Sequence, residues 1–249
     1  MSSPRVEHRQ ARYVAPPGAA SILLVRHGES APARDDEPFP LVGGQGDPEL
    51  HPEGVEQAEL LADRLARLPI TAIYVTNLRR TVETAAPLAA RLGIVPGVEA
   101  DLREVHLGDW EGGSYRRHLA EGHPVARRVF AEERWDVIPG AAPRAAYDGR
   151  VRAALARIAE RHPDETVAVF THGGVIASLL AQATGSRPFA FVGADNASIS
   201  RLVVDGERWT LRGFNDTSHL RAGGTHVTDR SVPPERSDPA PDDHAEVAR

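Results

Sequence analysis

Short aliphatic runs alternate along this chain with longer stretches whose apolar residues recur every three or four positions. Ile22-Leu23-Leu24-Val25 is an unbroken aliphatic run and reads as a buried strand. Ala72–Val75 and Thr166–Phe170 read the same way. Between them, Val55, Ala58, Leu61, Leu65 and Leu68 form a helical stripe over Leu50 to Leu68. Leu78, Val82, Ala85, Ala89 and Leu92 form a second stripe, closed by Gly93 and with Pro87 expected to kink it. Val151, Leu155 and Ile158 stripe a third helix, ended by Pro163. Val175, Ile176, Leu179 and Leu180 belong to a helix ending at Gly185. Asp205-Gly206 then separates Leu202-Val203-Val204 from Arg208-Trp209-Thr210-Leu211, the signal of a two-residue hairpin. The order predicts a three-layer α/β/α sandwich around a mostly parallel sheet, with an antiparallel edge hairpin.

The ends of the chain break this pattern. Residues 1–19 read as a flexible tail, with Pro4, Pro16, Pro17 and Gly18. Residues 221–249 hold four prolines among Asp, Ser and Glu and read as disordered, leaving 20–220 as the folded domain. There is no signal-peptide core and no apolar run near the length of a membrane span, so the chain reads as cytoplasmic, with no membrane partner. Its formal net charge of −6 argues against non-specific nucleic-acid binding.

Two absences narrow the chemistry. Without cysteine there is no thiolate nucleophile, no disulfide and no Cys-ligated metal site. Without lysine there is no Walker A phosphate loop and no Schiff base. The all-arginine usage reads as the composition of a GC-rich genome.

In parallel sheets ligands bind beyond the carboxyl ends of the strands. Arg26-His27-Gly28-Glu29 follows the first strand, Thr76-Asn77-Leu78-Arg79-Arg80-Thr81 the second, and Thr171-His172-Gly173-Gly174 the third. Two imidazoles and at least two guanidiniums could thus converge on one pocket suited to a phosphoryl group. The glycines allow close backbone approach, and a helix start after His172 offers free N–H groups to an anion.

Arg26-His27-Gly28-Glu29 resembles the signature of the histidine phosphatase superfamily, which includes the cofactor-dependent phosphoglycerate mutases. Asp47 to Ala58 is similar to its D-x-x-L-T-x-x-G-x-x-Q-A segment, and Thr76 to Ala85 resembles S-x-L-x-R-A-x-x-T-A, which places the second arginine at Arg80. Leu102 to Gly112 resembles L-x-E-x-x-x-G-x-W-E-G. Thr171-His172-Gly173-Gly174, Asn196 to Ile199 and Asn215 to Leu220 resemble later segments, so the likeness runs from about Ser21 to Leu220.

The resemblance implies that His27 is the nucleophile and forms a phosphohistidine. It implies that Arg26, Arg80 and His172 hold the phosphate oxygens, and that Glu104 is the general acid and then the general base. Glu29 is expected to orient an Arg or His of the pocket. No metal or other cofactor is implied. The other histidines, among them His51, His106, His118, His123 and His219, lack metal-ligand spacing and read as surface or packing residues.

Two departures matter. The asparagine of R-H-G-E-x-x-x-N is missing, and Arg34 to Pro40 forms a short acidic insertion expected near the pocket mouth. Pro139-Gly140-Ala141-Ala142-Pro143 stands where many relatives carry P-G-G-E-S. Residues 113–139 are expected to form the cap over the leaving group. The expected activity is a metal-independent phosphomonoesterase of the histidine acid phosphatase type, acting on a small phosphorylated metabolite. The alternatives are a cofactor-dependent phosphoglycerate mutase and, further off, a non-catalytic phospholigand-binding protein. The 68 residues from Glu104 to His172 favour the phosphatase pattern. Oligomeric state is left open.

Overall fold

A computed structural model describes residues 10–223. Its main sheet has six strands in the order β5-β4-β6-β1-β7-β8. The strands β1 (Ala20–Arg26), β4 (Ile70–Val75), β5 (Gly97–Val98) and β6 (Thr166–Thr171) are mutually parallel. The hairpin β7 (Ile199–Asp205) and β8 (Arg208–Asp216) adds antiparallel to β1, so the expected edge hairpin is present. A separate two-stranded ribbon, β2 (Leu41–Val42) and β3 (Gln45–Gly46), precedes the first helix.

Alternation along the central strands builds both outer layers. In β1, Ile22 and Leu24 face one side and Leu23 and Val25 the other; in β6, Val167 and Val169 oppose Ala168 and Phe170. The helices α5 (Arg144–Arg161) and α6 (Gly173–Thr184) cover the first face through Val151, Leu155, Ile158, Ile176, Leu179 and Leu180. The helices α1 (Pro52–Leu65) and α2 (Arg79–Leu92) cover the second through Leu61, Leu65, Ala85 and Leu88. Full burial of each such Leu or Ile contributes about 1.5–3 kcal/mol. The two helical stripes read from sequence are narrower than expected: Val55 and Val82 are exposed, and the buried face of α1 is Gly54, Ala58, Leu61, Ala62 and Leu65. The helix α2 runs through Pro87 without ending.

Residues 113–139 form a cap of two short helices, α3 (Ser114–Ala120) and α4 (Pro124–Ala131), followed by a 3-10 turn at Trp135–Val137. Trp110, Ala126, Val129 and Ile138 give it a small core of its own. At the opposite ends of the chain, residues 10–19 carry no helix or strand, and Arg221–Gly223 close a 3-10 turn, Ser218–Gly223, inside the stretch expected to be loose. The rest of both expected tails lies outside the described residues. Among the described residues no helix is long and apolar enough to cross a membrane.

Close backbone contact joins the first functional loop to α1. A Cβ on Gly54 would lie 2.0 Å from the carbonyl oxygen of Glu29, and one on Gly28 would lie 2.6 Å from that of Gly54. Neither position has room for a side chain, which ties the residues after β1 to the start of α1.

Candidate active site

Strand register brings the two histidines together. Arg26 is paired with Thr171 across the parallel β1–β6 ladder, so His27 and His172, one residue further on each, leave the sheet side by side. Their rings lie 5.3 Å apart, centroid to centroid, and both are buried. The next strand, β4, pairs Val75 with Phe170, which delivers Thr76 and the start of α2 to the same edge.

The hydrogen bonds of His27 define its chemistry. Its Nδ1 lies 2.7 Å from the carbonyl oxygen of Gly28. A carbonyl only accepts, so Nδ1 carries the proton and donates, and Nε2 of the neutral ring keeps a lone pair. Burial, followed by the charges of Arg80 and Arg26, holds the His27 pKa well below its ordinary value, which favours that neutral ring. The backbone is pinned as well: the His27 carbonyl accepts from Asn196 Nδ2 and from the Ala197 N–H.

His172 begins α6 as its N-cap residue and is fully buried. Its Nε2 lies 3.2 Å from Thr76 Oγ1, which in turn lies 2.8 Å from Thr81 Oγ1. Its Nδ1 has no hydrogen-bond partner among the described residues. Burial, then Arg80 and His27, pushes its pKa well below the usual imidazole range. Arg80 is buried, donates from one terminal nitrogen to the Gly46 carbonyl at 2.9 Å, and has its pKa lowered by burial to about 10, so it remains cationic at neutral pH. Arg79 points outward to Glu49 and Glu83, which separates the two adjacent arginines. Arg26 donates to the Ala194 carbonyl, and its Nε has no partner among the described residues.

Glu104 reaches the cleft from the loop after β5. Its carboxylate accepts from the N–H groups of Val105 at 2.9 Å and Gly174 at 3.0 Å, and from the Tyr147 hydroxyl at 3.2 Å. Gly174 has to be glycine for this: a Cβ there would stand 2.3 Å from Glu104 Oε1. Gln45 Nε2 and an Arg150 terminal nitrogen both donate to the Glu104 carbonyl, fixing the loop from β3 and from α5. Tyr147 is a site neighbour that the sequence does not single out; as one aromatic on the apolar stripe of α5 it carries no signal beyond packing. It is buried, and burial raises its pKa well above the ordinary phenol value, so its hydroxyl stays a donor.

These side chains surround a cleft of about 420 Å³ between the sheet edge and the cap. Arg26, His27, Arg80 and Glu104 line its floor, and His172 lies beneath, against His27. The cap and its neighbours supply apolar walls that include Phe39, Trp110, Tyr115 and Trp135. One expectation is corrected. The Glu29 carboxylate is exposed and makes no hydrogen bond or ion pair with a pocket Arg or His among the described residues; its charge reaches Arg26 only at a distance. The acidic insertion is a solvated loop at the edge of the site: Asp35 pairs with Arg117 at 3.6 Å and Glu37 with Arg34 at 3.6 Å, both acids exposed, while Phe39 lines the cleft.

Other histidines serve locally. His51 accepts from Glu53 N–H at the start of α1, His123 from Val125 N–H at the start of α4, and His118 stacks on Trp110 at 4.5 Å. His51 also lies with Glu29 and Glu53 in a cluster whose potential metal-ligand atoms are within 4.8 Å of one another. That cluster is largely exposed, and its His51 Nδ1 is already engaged by the Glu53 N–H.

A profile of the histidine phosphatase superfamily (branch 1) matches residues 22–217. The chain belongs to the histidine phosphatase superfamily. Within it, the chain is 37% identical over 211 residues to phosphoglycerate mutase-like protein 4 of Arabidopsis thaliana, covering 82% of this chain and 89% of that one. It is 32% identical over 216 residues to the metal-independent phosphoserine phosphatase of the same plant, covering 82% and 84%. The native structure of mycobacterial glucosyl-3-phosphoglycerate phosphatase superposes with a TM-score of 0.66 at 29% identity, covering 80% of this chain and 100% of that one. The six-stranded, helix-flanked sheet is thus the histidine phosphatase fold, and the motif segments from Arg26 to Thr217 fall inside the matched region.

Proposed function

We propose that this histidine phosphatase superfamily member is a metal-independent phosphomonoesterase working through a phosphohistidine on His27. The observation that carries the reading is the His27–Gly28 hydrogen bond, which leaves Nε2 unprotonated in a cleft floored by two guanidiniums. In the first step the Nε2 lone pair attacks phosphorus and the P–O bond to the leaving alcohol breaks. Glu104, entering as the carboxylic acid, gives its proton to the leaving oxygen. In the second step water attacks the phosphohistidine, Glu104 takes the water's proton, and His27 and inorganic phosphate are released. Arg26, Arg80 and the unpartnered Nδ1 of His172 hold the equatorial oxygens and stabilise charge through both transfers. In this sense the enzyme is of the histidine acid phosphatase type: an imidazole nucleophile with a carboxylic acid proton donor. Relatives named for phosphoserine and for glucosyl-3-phosphoglycerate support a small phosphomonoester as substrate.

The test is phosphate release from p-nitrophenyl phosphate and a panel of sugar phosphates by chelator-treated protein, wild type beside His27→Ala. The expected result is release that survives chelation and vanishes in the variant. Primer-dependent interconversion of phosphoglycerates without hydrolysis would instead favour the mutase reading suggested by the name of the Arabidopsis relative. Inactivity in both assays, with phosphate bound, would favour a binding protein.

A further inference from the structure

A neutral imidazole has one proton for two nitrogens, and only a protonated Nδ1 lets His172 donate to a phosphoryl oxygen. That atom is buried and has no partner among the described residues. Burial, then the charge of Arg80, keeps the ring pKa well below its ordinary value and so keeps the ring neutral. The proton position is therefore decided at the other nitrogen. If Nε2 accepts a hydrogen bond, the proton sits on Nδ1; if Nε2 donates, Nδ1 keeps only a lone pair.

Two fully buried hydroxyls stand behind Nε2. Thr76, the residue after β4, has Oγ1 3.2 Å from Nε2 and 2.8 Å from Oγ1 of Thr81, the third residue of α2. Thr81 is a departure from the segment resembled by Thr76 to Ala85, which carries alanine at this position. Two backbone donors fix part of the pattern: the Leu78 N–H donates to Thr76 Oγ1 at 3.3 Å, and the Thr76 N–H donates to Thr81 Oγ1 at 3.2 Å. The two hydroxyl hydrogens then have two consistent orders. In the outward order Nε2 donates to Thr76, Thr76 to Thr81, and Thr81 to the carbonyl of Leu78 or Thr76. That order turns a bare Nδ1 toward the anion. In the inward order Thr81 donates to Thr76 Oγ1, whose two lone pairs are then filled by Thr81 and the Leu78 N–H, and the Thr76 hydrogen is left for Nε2. The Leu78 carbonyl has no need of the Thr81 hydrogen, because it already accepts from the N–H groups of Thr81 and Val82. Only the inward order gives a neutral His172 an N–H at Nδ1.

We propose that Thr76 is a positioning residue that donates to Nε2 of His172, steered there by the hydroxyl of Thr81, so that His172 presents an N–H at Nδ1 to the phosphoryl group. The proposal rests on the phosphatase reading above. Neither threonine lines the cleft, and both act through His172. The paired histidines are thereby set to opposite tasks. At His27 an acceptor, the Gly28 carbonyl, draws the proton to Nδ1 and leaves Nε2 bare for phosphorus. At His172 a donor behind Nε2 sends the proton to the nitrogen that meets phosphoryl oxygen.

The experiment follows the ring nitrogens of His172 in long-range 1H–15N spectra of wild type with inorganic phosphate bound. Beside it, the Kd for phosphate and the kcat/KM for p-nitrophenyl phosphate are measured for wild type, Thr76→Val, Thr76→Ser and Thr81→Ala. In wild type Nδ1 is expected to be protonated and Nε2 bare. Thr76→Val keeps the shape of threonine without its donor; it should weaken phosphate binding and lower kcat/KM about tenfold each, the scale of one buried hydrogen bond. Thr76→Ser should recover most of both. Thr81→Ala installs the residue of the resembled segment and should lose less than Thr76→Val, because Thr76 still donates. A proton on Nε2, alone or together with one on Nδ1, in phosphate-bound wild type overturns the proposal. So does a Thr76→Ser no better than Thr76→Val, or a Thr81→Ala loss as large as that of Thr76→Val, which would assign the pair to holding the start of α2 and Arg80. The underlying reading is judged separately: hydrolysis by wild type that is lost in His27→Ala keeps the phosphatase standing wherever the His172 proton lies. Wild type that neither binds phosphate nor hydrolyses the ester overturns both.

Discussion

At the scale of single residues the cleft works against the stability of the fold. His27 and His172 are both buried beside Arg26 and Arg80, and both have pKa values held well below 6.5. In the unfolded chain they titrate near their ordinary value. Between the folded and unfolded pKa values the unfolded chain therefore binds more protons, and stability falls as pH drops below about 6.5, at about 1.4 kcal/mol per pH unit for each histidine fully in that window. The partly buried His219, whose pKa is also lowered by burial, adds in the same direction. Asp136, Asp216 and Glu165 have lowered carboxyl pKa values, so their contribution is present above the ordinary carboxylate range and is lost only in more acidic solution. The window from pH 5 to 7 thus isolates the histidines. Urea midpoints across it should fall with acidification in the wild type and fall less steeply in His27→Gln, which has no proton to gain; equal slopes in the two proteins would contradict the assignment of a low His27 pKa.

At the scale of elements, the start of α6 does three things within three residues. His172 closes β6 and caps the helix, Gly173 faces Arg26, and the Gly174 N–H holds the Glu104 carboxylate. Because a Cβ on Gly174 would collide with the end of the Glu104 side chain and not with backbone, Gly174→Ala should leave the fold intact and move the carboxylate. The expected result is a Tm within a few degrees of wild type, since a helical Gly→Ala change is worth about 1 kcal/mol or less, together with a kcat lowered at least tenfold. An unchanged kcat would remove Glu104 from the proposed proton transfer. The sequence makes most of this element readable: Thr166 to Phe170 is apolar enough to be a strand, and Val175 onward has a helical stripe, so His172 has to sit at their junction. It does not reveal Tyr147 behind Glu104, because one phenol on an apolar helix face looks like packing. Nor does it reveal β2, β3 and β5, two residues each, which are too short to show a period of two. Val55 and Val82 mislead for the opposite reason: they fit the helical period but lie at its outer margin.

At the scale of the molecule, the parallel order β4-β6-β1 gathers three loops at one sheet edge, and the cap closes over them from a separate small core. The carboxyl-end rule for parallel sheets makes that gathering legible in the sequence, because each of the three aliphatic runs has His or Arg in the loop or helix start that follows it. The orientation of the cap is not legible there, because α3 and α4 are short and place no long apolar stripe against the sheet. The gathering concentrates Arg26, Arg80 and Arg116 around one cleft with no ion-pair partner among the described residues, and the burial of these charges opposes folding. An anion bound between Arg26 and Arg80 pairs with these buried charges and stabilises the native state by mass action, by about 2.7 kcal/mol at a hundred times its Kd. For a chain of this size that corresponds to a rise in Tm of about 5–10 °C. Inorganic phosphate should produce the rise in wild type and chloride at equal ionic strength should not, which separates site binding from screening. Arg80→Met should lose most of the rise while its own Tm in phosphate-free buffer stays close to that of wild type, because the variant gives up a hydrogen bond to the Gly46 carbonyl but also sheds a buried charge. A rise that persists in Arg80→Met would locate the phosphate elsewhere and would count against the cleft as the phosphoryl site.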